Sequence, residues 1–296
     1  MSVAGRLTAP PGVNLEGTQI VAEELVGGRT ATVRAITATR NAAGRSQLVA
    51  RVQAGARTLS LLPGYYTTTA LPDGNFIFPH LPPGEYCITA RQGSLIGVHS
   101  GVRVKAPGAS VTALLLQATG TVNGKVRYPQ PETMTPDNSG ILAFVKGTSL
   151  VGYTEGASGD YQIPGVPTQA ATDSPYSVVA MATGFADATA VLPERLLGTE
   201  ATAPLIFLQQ GVIVGGRTYD PSVSDVNRQG QSGVSVVAAT GQSATTDSEG
   251  FFQLQGLAPG SNFLTVTKSS YRPIRQQIGP LLAGASSFYN IKLVHQ

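Results

Sequence analysis

The sequence predicts an all-β chain of tandem sandwich domains, and three observations carry that prediction. Gly (35) and Pro (20) are abundant, charged residues make up only 12%, and Thr, Ser and Val are frequent, a mix that favours strands and turns over helices. Apolar residues alternate with a period of two, as half-buried strands require. One short pattern returns three times along 296 residues, a length that suits two or three domains of ~100 residues. An apolar fraction of 42% is enough to fill cores, which excludes a disordered linker.

Each copy opens with Val, one residue, Gly and a basic residue: Val3, Gly5 and Arg6; Val122, Gly124 and Lys125; Val214, Gly216 and Arg217. These read as first strands. A glycine and an alternating apolar run follow and read as second strands: Gly17 with Ile20, Gly140 with Ile141 and Ala143, Gly233 with Val234 and Val236. A hairpin comes next, around Gly74, Gly159 and Gly250, where glycine supplies the positive φ of a tight turn. Phe76, Tyr161 and Phe252 stand two residues beyond the turn glycine, Phe78, Ile163 and Leu254 two further on, and Leu81, Val166 and Leu257 complete the face. Side chains two apart on a strand share a side, so this set is a buried face. VTALLLQ, PLIFLQQ and FYNIKLV are the closing strands. From Gln117 to Gly124, and from Gln209 to Gly216, is the same seven residues, with no flexible spacer. The boundaries are therefore expected near 118 and 210, giving domains 1–118, 119–210 and 211–296 arranged as a stiff rod.

The VxG[RK] opening, together with DGNFIFPHLPPGEY and DSEGFFQLQGLAPG, resembles the carboxypeptidase regulatory-like domains, relatives of the transthyretin (prealbumin) and Cna-B-type sandwiches. Copies one and three carry the pattern well. Copy two departs from it, because PTQAATDS separates Val166 from Pro175 and Tyr176. The resemblance implies three tandem seven-stranded Greek-key, prealbumin-like sandwiches with an accessory, adhesive or spacer role. Cna-B-type domains join a first-strand Lys to a last-strand Asn. Lys125 is in such a strand but LIFLQQ has no Asn, and Asn290 is in a last strand whose domain opens with Arg217, so no internal cross-link is expected. A transthyretin-like hydrolase needs a His and Arg cluster and a C-terminal signature similar to YRGS, whereas this chain ends IKLVHQ.

The chemical inventory points away from catalysis. Cys87 is the only cysteine, which excludes an intrachain disulfide and every multi-cysteine metal site. His80, His99 and His295 form no HxxE or HExxH. No GxSxG elbow, Walker A loop or dinucleotide fingerprint occurs, and EGASGD and DSEG lack the alternating carboxylates of a calcium loop. A non-enzyme without cofactor or metal is expected. No run of ~18 apolar residues is present to span a bilayer. Low charge, Arg in excess of Lys and many Thr resemble secreted bacterial β-proteins, so a secreted or cell-surface location is expected, with a signal peptide removed or upstream.

The first copy carries an insert. The opening and turn glycines are 35 residues apart in copy two and 34 in copy three, but 69 in copy one. The extra residues fall at about 26–62 and contain Arg29, Arg34, Arg40, Arg45, Arg51 and Arg57, with no acidic residue between Glu24 and Asp73. TATVRAITATR and SQLVARVQ alternate well enough for a protruding cationic hairpin, and the second half also suits a short helix. Charge is divided along the chain: ten basic against five acidic residues in the first domain (+5), four against eight in the second (−4), six against four in the third (+2).

The leading expectation is thus a non-catalytic extracellular structural or adhesive module of a bacterial surface protein or filament. The six arginines are candidates for an acidic partner: a polysaccharide, a membrane, another subunit, or the acidic second domain of a neighbouring copy in head-to-tail self-association. Nucleic acid is not expected, because the insert has no aromatic residue to stack on bases. The alternative is a carbohydrate-binding accessory module, with Tyr65, Tyr66 and Tyr153 as exposed rings for stacking on sugars.

Overall fold

A computed structural model of the chain describes residues 1–38, 47, 51, 62–105, 110–129, 137–226 and 229–296. It divides into two compact units, one of Met1–Arg127, Thr135–Ala180 and Thr189–Ile206, the other of Tyr128–Met134, Met181–Ala188 and Phe207–Gln296.

The first unit opens with β1 (Val3–Thr8), β2 (Gln19–Glu24), α1 (Ala31–Ala38), β3 (Tyr65–Thr69), β4 (Asn75–Phe78), β5 (Gly84–Gln92), β6 (Leu95–Val104) and β7 (Ser110–Leu115). These seven strands make two sheets, β4-β1-β7 and β3-β2-β5-β6. Val3, Leu7, Ile20, Phe76, Tyr86 and Ile88 belong to the core between them. β1 runs antiparallel to β4 and parallel to β7. The chain continues through β8 (Thr119–Arg127), β9 (Leu142–Val145), β10 (Val151–Glu155), β11 (Asp160–Pro167), β12 (Ser177–Met181), β13 (Phe185–Ala186), β14 (Ala188–Val191), β15 (Glu200–Thr202), β16 (Ile206–Phe207) and β17 (Gln209–Gln210). Here the order is β14-β12-β9-β10-β11-β8-β15, with β16 also on β8, while β13 pairs β17. The second unit has β18 (Val212–Tyr219), β19 (Ser235–Ala238), β20 (Ser243–Thr245), β21 (Phe251–Leu257), β22 (Gly260–Thr267), β23 (Ile274–Leu281) and β24 (Ser286–Lys292). Its sheets, β21-β18-β24 and β20-β19-β22-β23, repeat the order of the first seven strands. Val212, Val214, Val236, Phe252, Leu254 and Leu264 belong to its core.

The recurrent motif has a steric cause. Gly5 pairs with Phe76, Gly124 with Tyr161 and Gly216 with Phe252. In each pair the ring lies over the glycine: a Cβ at Gly5 would meet Phe76 Cζ at 2.2 Å, one at Gly124 the Tyr161 hydroxyl at 2.4 Å, and one at Gly216 Phe252 Cε1 at 2.5 Å. An aromatic ring thus fills the space that the missing side chain leaves across the strands. The turn glycine is equally constrained. Gly74, Gly159 and Gly250 have φ of 81°, 71° and 85°. Their carbonyls accept the N–H of Leu7, Val126 and Thr218 at 2.8, 2.9 and 2.8 Å. Any side chain there would strike the carbonyl oxygen of that same residue.

The middle set keeps the strand order but closes one gap. β10 pairs β11 through Thr154 with Tyr161 and Glu155 with Asp160, so strands that stay in separate sheets in the other sets, β3 and β4 or β20 and β21, are here joined. Gly152 permits this approach, since a Cβ on it would lie 2.0 Å from the Gln162 carbonyl oxygen.

Two expectations are corrected. ATVRAITA forms helix α1, not a hairpin strand. Val33 and Ile36, three apart and fully buried, place its apolar side inward, and Thr30 caps it by accepting the Val33 N–H at 3.3 Å. Gln47 and Arg51 are helical too, and the rest of the insert lies outside the described residues. The closing strand of the middle set starts earlier than PLIFLQQ: β15 runs parallel to β8, with Glu200 opposite Thr121. Pro204, which has no N–H to donate, separates β15 from β16, leaving PLIFLQQ only two-residue pieces. Among the described residues no helix is long and apolar enough to cross a membrane.

Candidate ligand groove

Of the six candidate arginines the structure describes Arg29, Arg34 and Arg51, and these three are not alike in exposure. Arg29 is 6% exposed and forms a two-way backbone bridge with Val26. Arg34, on α1, pairs with Glu24 at 3.1 Å, so an acidic residue just outside the insert meets its charge. Arg51 is exposed, and Arg40, Arg45 and Arg57 lie outside the described residues. The helix docks by its apolar side, which draws its near arginines into the fold.

The candidate tyrosines differ from exposed platforms as well. Tyr65, Tyr66 and Tyr153 are all half-buried. Tyr65 and Tyr66 are neighbours on β3 and face opposite ways. The Tyr66 ring meets Tyr86 edge-on at 6.1 Å and packs on the first core. Burial, with Glu23 nearby, pushes the Tyr65 phenol up to about 12.

Two of the three histidines serve the scaffold, and His80 is exposed. His99 Nδ1 lies 2.9 Å from Thr112 Oγ1. His295 Nε2 lies 2.8 Å from Asp220 Oδ2, and its ring stacks on Tyr271 at 4.3 Å. Asp220, 3% exposed, also accepts from the Ser222 N–H and hydroxyl and from the Tyr271 hydroxyl, at 2.9, 2.7 and 2.8 Å. These donors, Ser222 foremost, hold its carboxyl well below the usual carboxylate range. Among the described residues no three His, Cys, Asp or Glu side chains converge as a metal site.

What the second unit does expose is an aromatic groove on the outer face of β21-β18-β24. Val212 and Val214 point into the core, so Ile213, Gly215 and Arg217 point outward. Gly215 pairs with Gln253 on one side and Phe288 on the other. Lacking a side chain, it leaves a floor beside the Phe288 ring, 3.5 Å from where its Cβ would be. Phe288 and Phe251 are 60% and 39% exposed, with ring centroids 6.4 Å apart at 54°. The Arg217 guanidinium sits 5.5 Å over Phe251 and its Nε donates to the Glu249 carbonyl at 3.0 Å. The groove is shallow and open to solvent, offers about 670 Å³, and is completed by Thr245, Asp247, Gln253 and Ser287. Asp247 is held in place by accepting the Glu249 and Phe251 N–H groups at 2.9 and 2.8 Å. Two rings flanked by hydroxyl, amide and carboxylate groups can take a ligand with an apolar face and a polar rim. Strand parity carries the signal for these rings: Phe252 and Tyr289 turn inward, so Phe251 and Phe288 must turn out.

No curated protein matches the chain. Among solved structures it is similar to the full-length major pilin SpaD from Corynebacterium diphtheriae, at 10% identity over 100% of this chain and 97% of that one, with a TM-score of 0.25. It is similar to two B repeat units of the collagen binding protein of Staphylococcus aureus, at 11% identity over 98% and 74%, with a TM-score of 0.23. A mutant type II cohesin-X-dockerin complex from Acetivibrio cellulolyticus is matched at 22% identity over 28% of this chain and 58% of that one, with a TM-score of 0.25, so the chain spans little more than half of that relative. The family model that matches is the carboxypeptidase regulatory-like domain, over residues 222–294. That segment, which holds β19 to β24 and both groove rings, therefore carries the carboxypeptidase regulatory-like pattern.

Proposed function

We propose that the chain is a non-catalytic extracellular structural and adhesive module of a bacterial surface protein or filament, with sandwich domains at about 1–118, 119–210 and 211–296. The observation that supports it best is the triplicate scaffold: one glycine-under-ring pair and one turn glycine, with the same strand order each time. Groups able to do chemistry, such as His99, His295 and Asp220, are engaged in holding strands and the tail. Head-to-tail self-association remains part of this proposal, through Arg40, Arg45, Arg51 and Arg57 on the acidic middle domain of a neighbour. Sedimentation at low and high salt tests it, because the Debye length falls from ~10 Å at 0.1 M to ~3 Å at 1 M. Changing those four arginines to Ser leaves Arg29 and Arg34 to the fold. Assembly at low salt that the variant loses supports the proposal, and a strictly monomeric wild type at high concentration removes it.

A second reading, carbohydrate binding, is favoured by the Phe251–Phe288 groove rather than by the half-buried tyrosines. A glycan array tests it. A Phe251→Ala/Phe288→Ala variant should lose at least ~10-fold in affinity, about 1.4 kcal/mol, while its melting temperature stays unchanged. Retained affinity in that variant, or no glycan retained by wild type, removes the reading.

A further inference from the structure

The outward face of β5 is covered at Cys87 and half-covered at Thr89 and Arg91. Cys87, Thr89 and Arg91 alternate away from the core residues Tyr86, Ile88 and Ala90, yet Cys87 is only 1% exposed, as is its neighbour Glu23 on β2 at 3%. Glu23 accepts the Thr32 N–H at 2.9 Å and the Ser149 hydroxyl, and Ser149 Oγ is 2.5 Å from Thr30 Oγ1. The segment before α1 and the turn between β9 and β10 thus close over this face.

Farther along β5, Arg91 lines a cavity of about 210 Å³ with Gly93, Ser94, Thr119, Ser149 and Gly165. Gly93 and Ser94 form the two-residue turn between β5 and β6, where Gln92 pairs Leu95. Gly165 belongs to a bulge of β11, between Ile163 and Val166, with φ of 71°. A Cβ on Gly165 would stand 3.8 Å from Arg91 Nη1 and 3.3 Å from Ile96 Cδ1, so a side chain there would fill the cavity. Arg91 is its charged lining residue. Burial works against that charge and lowers the guanidinium pKa, although Tyr65 and Glu23 partly offset this. Among the described residues the Arg91 side chain makes no hydrogen bond or ion pair, while its backbone is paired opposite Gln19 and Ile96, and the carboxylate on its own face, Glu23, is engaged by Thr32 and Ser149.

We propose that this cavity binds a tetrahedral oxyanion, phosphate or sulfate, held by Arg91. Its half-buried guanidinium offers the cavity a planar fork of donors that no acceptor among the described residues takes up, and that fork matches two oxygens of such an anion. The Ser94 hydroxyl, on the β5–β6 turn, is the second donor of the lining that is not already engaged, since the Thr119 hydroxyl donates to the Ser94 carbonyl and that of Ser149 to Glu23. At ~30 Å³ per water the cavity holds the volume of about seven waters, room for the ion and part of its hydration. The anion is either free or the terminus of an ester.

Isothermal titration of the full chain with sodium phosphate, sodium sulfate and a phosphorylated monosaccharide, at ionic strength matched with chloride, tests this. One saturable site is expected for wild type, weakened at least ~10-fold in Arg91→Met and less in Arg91→Lys. Ser94→Tyr, a change at an exposed turn that keeps Arg91 but crowds the cavity, should also abolish binding. Thermal shifts serve as a second measure: both anions stabilise proteins generally, so the specific part is what Arg91→Met and Ser94→Tyr lose relative to wild type. Tighter binding of the monosaccharide phosphate would assign the ester, and tighter binding of inorganic ion the free anion. Absence of a saturable site for all three, or equal binding by wild type and both variants, overturns the proposal.

Discussion

At Gly5 an added methyl carbon would stand 2.2 Å from Cζ of Phe76, too close to be relieved without moving a ring that is 4% exposed. Gly5→Ala should therefore cost ~1–3 kcal/mol by overpacking. Urea unfolding measures it, and a Phe76→Leu partner change should recover part of the loss, a coupling that two independent sites would not show. Glu23 makes the opposite kind of demand. Burial raises its carboxyl pKa from the ordinary 4.5, against the hydrogen bonds from Ser149 and Thr32 that lower it. The folded state then holds its proton over a pH range in which the unfolded chain has released it. Stability from this group is complete below pH 4.5 and is lost as pH rises toward the raised value, at no more than ~1.4 kcal/mol per pH unit. Glu23→Gln should flatten that decline in a pH series of melting temperatures. Asp220 has the reverse sign: its depressed pKa contributes stability above the usual carboxylate range, lost as pH falls through the folded value. Asp220→Asn should lower the melting temperature at neutral pH and remove that acid-side dependence.

At the scale of elements, α1 decides what the insert begins as. Val33 and Ile36 are fully buried, so Ile36→Ala should cost ~2–5 kcal/mol, whereas in a solvated arm it would cost nearly nothing. Chemical denaturation separates the two. TATVRAITATR reads as a strand from the sequence because a short run of β-branched residues satisfies a period of two about as well as one of 3.6, and docking selects the helix. In the first and third sets the opening, second, hairpin and closing strands are legible in the sequence, since Phe76, Phe78 and Leu81 or Phe252, Leu254 and Leu257 repeat both spacing and burial. PLIFLQQ misleads because Ile206 and Leu208 are buried and Leu205 and Phe207 exposed, the alternation of a strand, although Pro204 interrupts the pairing.

At the scale of the whole molecule, the Glu23–Ser149 and Thr30–Ser149 contacts tie the first strand set to the second inside one compact unit. Calorimetry of the intact chain should accordingly show two transitions. Glu23→Ala should lower one, and Asp220→Asn the other. A single transition lowered by both changes would contradict that division.

Alternation and glycine spacing by themselves determined the all-β class, the threefold pattern, the opening and hairpin strands and the inward rings, because each is a requirement of the local backbone: a period of two, a positive φ, a site with no room for Cβ. The groove of Phe251 and Phe288, the burial of Arg29 and the cavity of Arg91 were decided by the tertiary structure. They depend on which strands become neighbours and which outward face another segment covers. Parity tells that Arg91 points away from the core, but whether it meets water or a cavity is set by Ser149 and Gly165, 58 and 74 residues farther along the chain.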